Sequence, residues 1–214
     1  MFKILLKEGE SVMGDLKTYG DIYDEEFLEK FGEHREDVEK AELEKKFVVD
    51  VKKIAKLCKI EIIEEELDVS GSCELFHSAA HDKSSEYSTN EETRVIRINM
   101  YEPLVRQRFT IAHEIGHILL GHDGISYRDP NYQKYNDFIK RMNEVNANSF
   151  AAELLMPEKL LRKALEKTMS ELNYDTKQKF SDSDIDYLAE NTAKKMIVSL
   201  ESFKYRLKNL NIFR

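Results

Sequence analysis

Residues 106–122 read RQRFTIAHEIGHILLGH, and no other stretch of the chain says as much about its fold. The apolar side chains recur at the spacing of one helix face. Pro103 before them is typical of a helix start, and Gly121 near their end is typical of a helix stop. The sequence therefore predicts a helix that begins at Pro103 and ends just before Gly121. On it, His113 and His117 lie one turn apart on the same face.

The positions of these two histidines form a metal-binding pattern. Two imidazoles one helical turn apart can bind one zinc ion, each at about 2.0–2.1 Å. Glu114 lies about 100° further around the helix, so its carboxylate can reach water on the metal without becoming a ligand. Zinc lowers the pKa of such a water towards about 7, and the carboxylate can take its proton as a general base. The pattern thus predicts a zinc-dependent peptidase with one zinc ion per chain.

A catalytic zinc usually has three protein ligands and one open position, so a third ligand is needed. His122 follows His117 by five residues, which turns a helix by about 500° and points the ring away from the metal, so we expect a supporting or capping role for it. Two carboxylates on the next predicted helix, Glu144 and Glu153, are the better candidates, and they face opposite sides of that helix. The small and polar neighbours of Glu144 favour it, and Asn148 could support a ligand through a hydrogen bond.

The rest of the chain predicts an α+β fold. A small β-sheet is expected to pack on a zinc-binding helical core, with additional N-terminal and C-terminal helices. The elements follow the apolar patterns: strands at 59–67 and 94–99, a hairpin arm or long loop at 70–92, and helices at 24–31, 38–58, 135–156 and 188–210.

Composition and charge exclude several classes of protein. The chain has 214 residues, 41% of them hydrophobic, and a net charge of −8, which disfavours a nucleic-acid-binding protein. No apolar run approaches the roughly 20 residues of a membrane span, and no segment resembles a signal peptide. The two cysteines, Cys58 and Cys73, are too few for a disulfide scaffold, and we expect Cys58 to be a small buried hydrophobe. We therefore expect a cytoplasmic protein without nucleic-acid or membrane partners.

Two segments carry concentrated charge of opposite sign. Residues 21–50 hold twelve acidic and five basic side chains, and residues 194–214 hold six basic side chains against one acidic. We expect both to be the solvated faces of helices. The alternatives are an acidic docking arm for a basic partner in the first case and a nucleic-acid-binding segment in the second.

Two blocks of the sequence resemble the ImmA/IrrE family of metallopeptidases. Residues 106–122 are similar to the family's R-x-x-FT-x-AHE-x-GH-x-x-LGH block. Residues 144–157, EVNANSFAAELLMP, are similar to its E-x-x-A-x-x-FA-x-x-LLMP block, and the step of 27 residues from His117 to Glu144 also fits. The resemblance covers roughly residues 48–214. No helix-turn-helix domain of the kind sometimes fused to such peptidases is evident.

The resemblance implies a set of site residues and a division of the chain. It implies that His113, His117 and Glu144 bind zinc and that Glu114 is the general base. The chain then divides into three parts: an acidic N-terminal extension of unassigned role at 1–47, the metallopeptidase core at 48–157, and a C-terminal helical part of the same domain at 158–214.

Members of this family cleave helix-turn-helix transcriptional repressors, and some belong to pairs that resemble toxin–antitoxin systems. The resemblance implies a zinc-dependent endopeptidase whose substrate is a small helix-turn-helix repressor. One alternative is a metal-containing protein that binds a repressor or toxin without cutting it, although a pure binding protein needs no base such as Glu114. The two-histidine, one-carboxylate set also suits iron, and manganese is a further alternative to zinc.

Four polar residues in predicted loops are candidates for further roles: His77, His81, Tyr127 and Arg128. An endopeptidase needs a group besides zinc that stabilises negative charge on the attacked carbonyl oxygen, and Tyr, His or Arg can do so. His77 and His81 could instead form a second metal site if their segment were helical. The simpler expectation for all four is that of surface loop residues.

Overall fold

The computed structural model describes residue 4 and residues 16–77, 92–122, 133–175 and 178–213, with the backbone only at 71–77, 92–93 and 133–136. Its helices and strands follow in chain order: α1 (Tyr19–Ile22), α2 (Glu25–Glu29), α3 (Arg35–Lys40), α4 (Val51–Leu57), β1 (Ile60–Glu65), β2 (Gly71–His77), β3 (Glu92–Asn99), α5 (Leu104–Leu119), α6 (Gln133–Leu155), α7 (Glu158–Glu171), α8 (Asp182–Met196) and α9 (Leu200–Asn209). This is the predicted α+β fold, in which helices outweigh a small sheet.

The sheet has three strands in the order β1-β3-β2. β1 runs parallel to β3, with Ile62 opposite Ile96, and β2 runs antiparallel to β3. Both expected strands, at 59–67 and 94–99, are confirmed. The segment expected to be a hairpin arm or long loop contains β2, and its residues 78–91 lie outside the described part of the chain. Ile96 and Ile98 on the central strand are fully buried, which fixes the face of the sheet that packs on the helices.

The two long helices form where the sequence predicts them. Pro103 is the N-cap residue of α5, and the helix ends in a left-handed turn at Gly121, whose φ is +66°. The N–H of Gly121 donates to the carbonyl of Ile118 at 3.2 Å, and the N–H of His122 donates to the carbonyl of His117 at 2.9 Å. These two bonds are the Schellman arrangement, which reverses the chain direction tightly at a helix end. α6 ends at Leu155, and α7 begins after Pro157.

The continuous helical stripe expected at 38–58 is wrong. The chain leaves α3 at Ala41 and enters α4 only at Val51. Between them the backbone bonds to the preceding chain, because Leu43 N–H donates to the Lys17 carbonyl at 2.7 Å. Asp50 then caps α4 by accepting bonds from the first-turn amides. Long-range backbone pairing thus replaces the helix that the apolar spacing predicts.

The single helix expected at 188–210 is also wrong, because the chain bends between α8 and α9. Ile197 has a φ of 54°, a left-handed conformation that side chains branched at Cβ rarely adopt. Its carbonyl accepts a bond from Arg108 Nε at 3.1 Å, which ties the bend to α5. Ser199 then caps α9 by accepting a bond from the Ser202 amide.

Residues 16–50 pack into the same core as the rest of the domain. Tyr23 Oη donates to the carbonyl of Leu154 on α6 at 2.9 Å, and the rings of Phe27 and Phe150 lie 5.0 Å apart. Their buried side chains join one continuous apolar cluster with the sheet and the long helices. Cys58 is buried in that cluster, as expected from its neighbours. No helix within the described ranges is both long enough and apolar enough to cross a bilayer.

Candidate metal centre

Helix α5 has two faces with different neighbours. Its apolar face is buried in the core through Ile111, Ala112, Ile115 and Ile118. The side chains of His113 and His117 keep 16% and 15% of their surface exposed and face α6 rather than the sheet core. The alternation of apolar and polar positions along the 106–122 stretch therefore produces one face for the core and one for chemistry.

Three side chains bring their donor atoms to one point between α5 and α6. His113 Nε2 and His117 Nε2 lie 3.0 Å apart, and each is 3.4 Å from a carboxylate oxygen of Glu144. Ligands held at about 2.0–2.1 Å in a tetrahedral zinc site are separated by roughly 3.3–3.4 Å, so these distances suit one metal ion. Among the described residues this is the cluster of His, Cys, Asp and Glu side chains that could hold a metal.

Gly116, inside the His-Glu-Ile-Gly-His motif, allows α5 and α6 to approach closely. A Cβ atom at this position would lie 3.1–3.2 Å from Phe150 and 3.3 Å from the Cα of Ala147. Both of those residues are on α6, within two turns of Glu144. The absence of a side chain at Gly116 therefore sets the spacing that lets Glu144 meet the two imidazoles. The pattern of apolar residues did not reveal this role.

Each imidazole has a partner for the nitrogen that faces away from the ligand cluster. His113 Nδ1 donates to Asn148 Oδ1 at 3.1 Å, as the position of Asn148 one turn after Glu144 suggests. His117 Nδ1 lies 3.2 Å from His122 Nδ1. Such contacts fix the ring orientation and the tautomer that leaves Nε2 free for a metal. His122 reaches this place because the turn at Gly121 folds it back over the last turn of α5.

The other candidate carboxylate, Glu153, lies elsewhere. Its two oxygens pair with Lys30 at 3.2 Å and with Arg206 at 3.5 Å, and so connect α6 to the N-terminal segment and to α9. The structure thus brings Glu144, and not Glu153, beside the two histidines. The half-turn between these two positions on α6 accounts for the difference.

A cavity of about 470 Å³ opens beside the ligand cluster. His113 and Glu114 line it together with side chains of α5, the end of α6 and the start of α9. Glu114 is partly buried, which places a carboxylate on the wall of a space large enough for substrate groups. The α9 part of this wall, including Glu201, was missed from the sequence, because it is brought there by the bend at Ile197.

Several sequence-based candidates cannot be placed. His81, Tyr127 and Arg128 lie outside the described residues, and of His77 only the backbone is described. His113, His117 and Glu144 come together as a donor set of two imidazoles and one carboxylate, with the Glu114 carboxylate beside them on the cavity wall. The residues present therefore fit a zinc ion.

Comparison with known proteins agrees with this geometry. Residues 72–208, well over half of the chain, match the family model of the IrrE N-terminal-like domain, a peptidase family. The chain is similar to the radiation response metalloprotease IrrE of Deinococcus radiodurans, with 42% identity over 77 residues that cover 36% of this chain and 23% of the relative. It is also similar to the protein of that name from Deinococcus deserti, with 41% identity over 70 residues that cover 33% and 25%.

The chain spans about a quarter of the length of these curated relatives. The family match, in contrast, includes both α5 with its two histidines and α6 with Glu144. On the strength of that match, the chain belongs to the IrrE N-terminal-like domain family of peptidases.

Proposed function

We propose that the chain is a zinc-dependent endopeptidase. The observation that carries the proposal is the meeting of His113, His117 and Glu144 within metal-ligand distance beside a cavity lined by Glu114. The family to which the chain belongs and the metalloprotease names of the two relatives support it. When bound, zinc supplies a Lewis acid that polarises a scissile carbonyl and lowers the pKa of a water molecule.

In this proposal, the residues around the metal centre have separate roles. His113, His117 and Glu144 hold the ion, and Asn148 and His122 keep the two rings in the orientation that presents Nε2. Glu114, on the same helix but outside the ligand set, accepts a proton from water in the cavity as general base. Its conjugate acid can then donate that proton to the leaving amine. The cavity walls position the peptide chain over the site.

The ligand assignment is tested by metal content. We expect elemental mass spectrometry to find one zinc per wild-type chain and a sharp loss in Glu144→Ala. Asp137→Ala is a matched control, because Asp137 is an exposed acid on the same helix, and it should retain the metal. A wild-type protein that stays metal-free after zinc is resupplied would contradict the proposal.

The role of Glu114 is tested by activity. Glu114→Gln should retain zinc but lose cleavage by about two to four orders of magnitude, the usual contribution of a general base. If the protein acts instead as a partner that binds without cutting, its effect on that partner in cells should survive the substitution. An effect that survives Glu114→Gln would be compatible with the metal centre but would contradict the peptidase proposal.

The substrate we propose is a small helix-turn-helix transcriptional repressor. The support is the resemblance of the two sequence blocks to peptidases that cleave such repressors. Repressors encoded near the gene, incubated with zinc-loaded wild type and with Glu114→Gln, provide the test. A cut at a defined bond, mapped by mass spectrometry and absent with Glu114→Gln, is the expected result, and intact repressors that do not bind would overturn the assignment.

A further inference from the structure

The cavity beside the metal centre continues into a second cavity. The cavity of about 470 Å³ beside His113 shares four wall residues with a second cavity of about 350 Å³: Phe109, Asn148, Glu201 and Ser202. The second cavity extends along α6 and α9 as far as Val145 and Tyr205. The two are therefore successive sections of one groove between α5, α6 and α9.

Most of the wall of this groove is apolar. The carbon-rich lining comes from Val105, Phe109, Leu155, Met156 and Val198 near the metal centre and from Val145, Ala152 and Tyr205 further on. Met156 is fully buried, whereas Val145 and Tyr205 keep 57% and 63% of their surface exposed. A groove with an apolar floor and an exposed apolar rim suits an extended peptide that inserts a large apolar side chain.

The charged side chains on the groove wall differ in whether they form ion pairs. Besides His113, three side chains of acidic or basic residues line the two cavities: Arg106, Glu114 and Glu201. Arg106 pairs with Glu102 at 3.3 Å and donates to Ser70. Glu201 lines both cavities and is exposed.

The basic residues nearest to Glu201 along α9 are engaged elsewhere. Lys204 pairs with Asp186 at 2.7 Å, and Arg206 donates to the Met156 carbonyl and lies near Glu153. Within the described ranges Glu201 forms no ion pair. Glu201 lies in the first turn of α9, where the helix dipole favours a negative charge. The capping hydrogen bond of that helix is made by Ser199, so Glu201 is not needed as the cap. The groove wall therefore carries a carboxylate that can pair with a basic group of an occupant.

We propose that this groove binds an extended segment of a protein substrate in which a large apolar residue enters the section beside the metal centre and a nearby Lys or Arg pairs with Glu201. This inference rests on the proposed peptidase function and adds a substrate preference to it. An ion pair at an exposed site is expected to favour the basic residue by up to about fivefold in kcat/KM.

The test is a cleavage profile on a library of peptides randomised on both sides of the scissile bond, with products identified by mass spectrometry. Wild type should enrich Lys and Arg at one position and large apolar residues close to it. Glu201→Gln should lose the basic preference, and Glu201→Lys should favour Asp and Glu at that same position. Glu166→Lys, an equal charge change at an exposed position of α7 outside the groove, should cut like wild type.

The outcomes separate this inference from the proposed function. Zinc content and thermal unfolding of each Glu201 variant should match wild type, which shows that the fold and the metal centre are intact. If wild type cuts peptides but its basic preference is absent or unaffected by Glu201→Lys, the inference is overturned while the peptidase stands.

If wild type cuts nothing, fluorescence anisotropy with Glu114→Gln and labelled peptides gives the second readout. The two peptides of each pair have the same large apolar residue, and the residue beside it is Lys in one peptide and Glu in the other. A preference for the Lys peptide that Glu201→Lys reverses would support the groove as a binding site without cleavage. Equal binding of both peptides, or no binding of either, would overturn the inference.

Discussion

His113 and His117 each depend on one further side chain. Asn148 accepts from the first ring, and His122 meets the second through its Nδ1 atom. Partners of metal-ligating histidines that hold tautomer and orientation typically contribute 10–100-fold to metal affinity. Asn148 and His122 therefore belong to the proposed metal centre together with the three proposed ligands.

We expect Asn148→Ala and His122→Ala each to weaken zinc binding by about 10–100-fold. Without its partner at Nδ1, the ring is no longer held in the orientation and tautomer that leave Nε2 free for the metal. Competition with a chelating dye measures this. Asn146→Ala, an exposed residue on the same helix, is the control and should bind zinc like wild type. Unchanged affinity in both variants would show that the helices alone orient the rings.

Cys58 provides a prediction about pH. Burial raises the pKa of its thiol to about 12, well above the value of roughly 8.5 in an unfolded chain. Its contribution to stability is therefore complete below about pH 8.5 and is lost as the pH rises towards the folded value. Iodoacetamide at pH 8, followed by peptide mapping, should leave Cys58 unmodified in the folded protein and modify it after denaturation. Rapid alkylation without unfolding would contradict its burial.

The meeting of His113 and His117 could be predicted from spacing alone, because two side chains four residues apart on a helix must share a face. Glu144 could only be favoured over Glu153 from its neighbours until the resemblance was considered. The ion pairs that occupy Glu153 come from Lys30 and Arg206, which are far from it in sequence, so no local pattern contains them. The contact of His122 with His117 follows from the turn at Gly121 and not from the helical rotation on which our expectation was based.

At the scale of elements, the distance between α5 and α6 determines whether three ligands can meet. Gly116 lies at a close approach of the two helices, against Phe150 and Ala147. In an exposed helix, replacing Gly by Ala stabilises by about 1 kcal/mol. At Gly116, however, the added Cβ would meet both the Cβ of Phe150 and the Cα of Ala147, so α6 itself has to move.

We therefore expect Gly116→Ala to weaken zinc binding by at least about tenfold and to lose the stabilisation that Ala otherwise brings to a helix. Chelator competition and chemical denaturation of the metal-free protein measure the two effects separately. An increase in stability of about 1 kcal/mol with unchanged zinc affinity would mean that the helices can absorb the methyl group.

The elements that could be predicted are those whose signal is local. β1, β3, α5 and α6 each have a regular apolar pattern and clear end signals. The two errors, at 38–58 and 188–210, have a common physical reason, because in both the backbone bonds to a distant part of the chain. Leu43 pairs with Lys17 in the first, and Arg108 holds the left-handed Ile197 in the second.

At the scale of the whole molecule, residues 16–50 pack against the helix that carries Glu144. Phe27 and Phe31 pack on Phe150, which in turn fills the space over Gly116. The hydrogen bond from the Tyr23 hydroxyl to the Leu154 carbonyl joins segments 131 residues apart in the chain. The sequence showed the acidity of this segment but could not show its packing, because contacts at such separation leave no periodic pattern.

Phe27→Ala should lower the free energy of unfolding by about 3–5 kcal/mol, the usual cost of removing a fully buried phenylalanine. It should also weaken zinc binding, because Phe150 loses the ring that packs against it. Urea denaturation and chelator competition measure both effects. Phe138→Ala is the control, since this ring on α6 is 61% exposed and should change stability by less than about 0.5 kcal/mol.

The order of strands in the sheet has a consequence for how such a domain can be exchanged between proteins. The family match begins at residue 72, but the edge strand β1 at Ile60–Glu65 precedes that point and pairs along its whole length with residues 94–99 of β3. A recombination event or an engineered graft that joins the chain at residue 72 would transfer the metal-binding helices with a sheet that lacks one edge. A graft that keeps the sheet complete therefore has to begin upstream of β1, and one that also keeps the packing of Phe27 and Phe31 on Phe150 has to include residues 16–50.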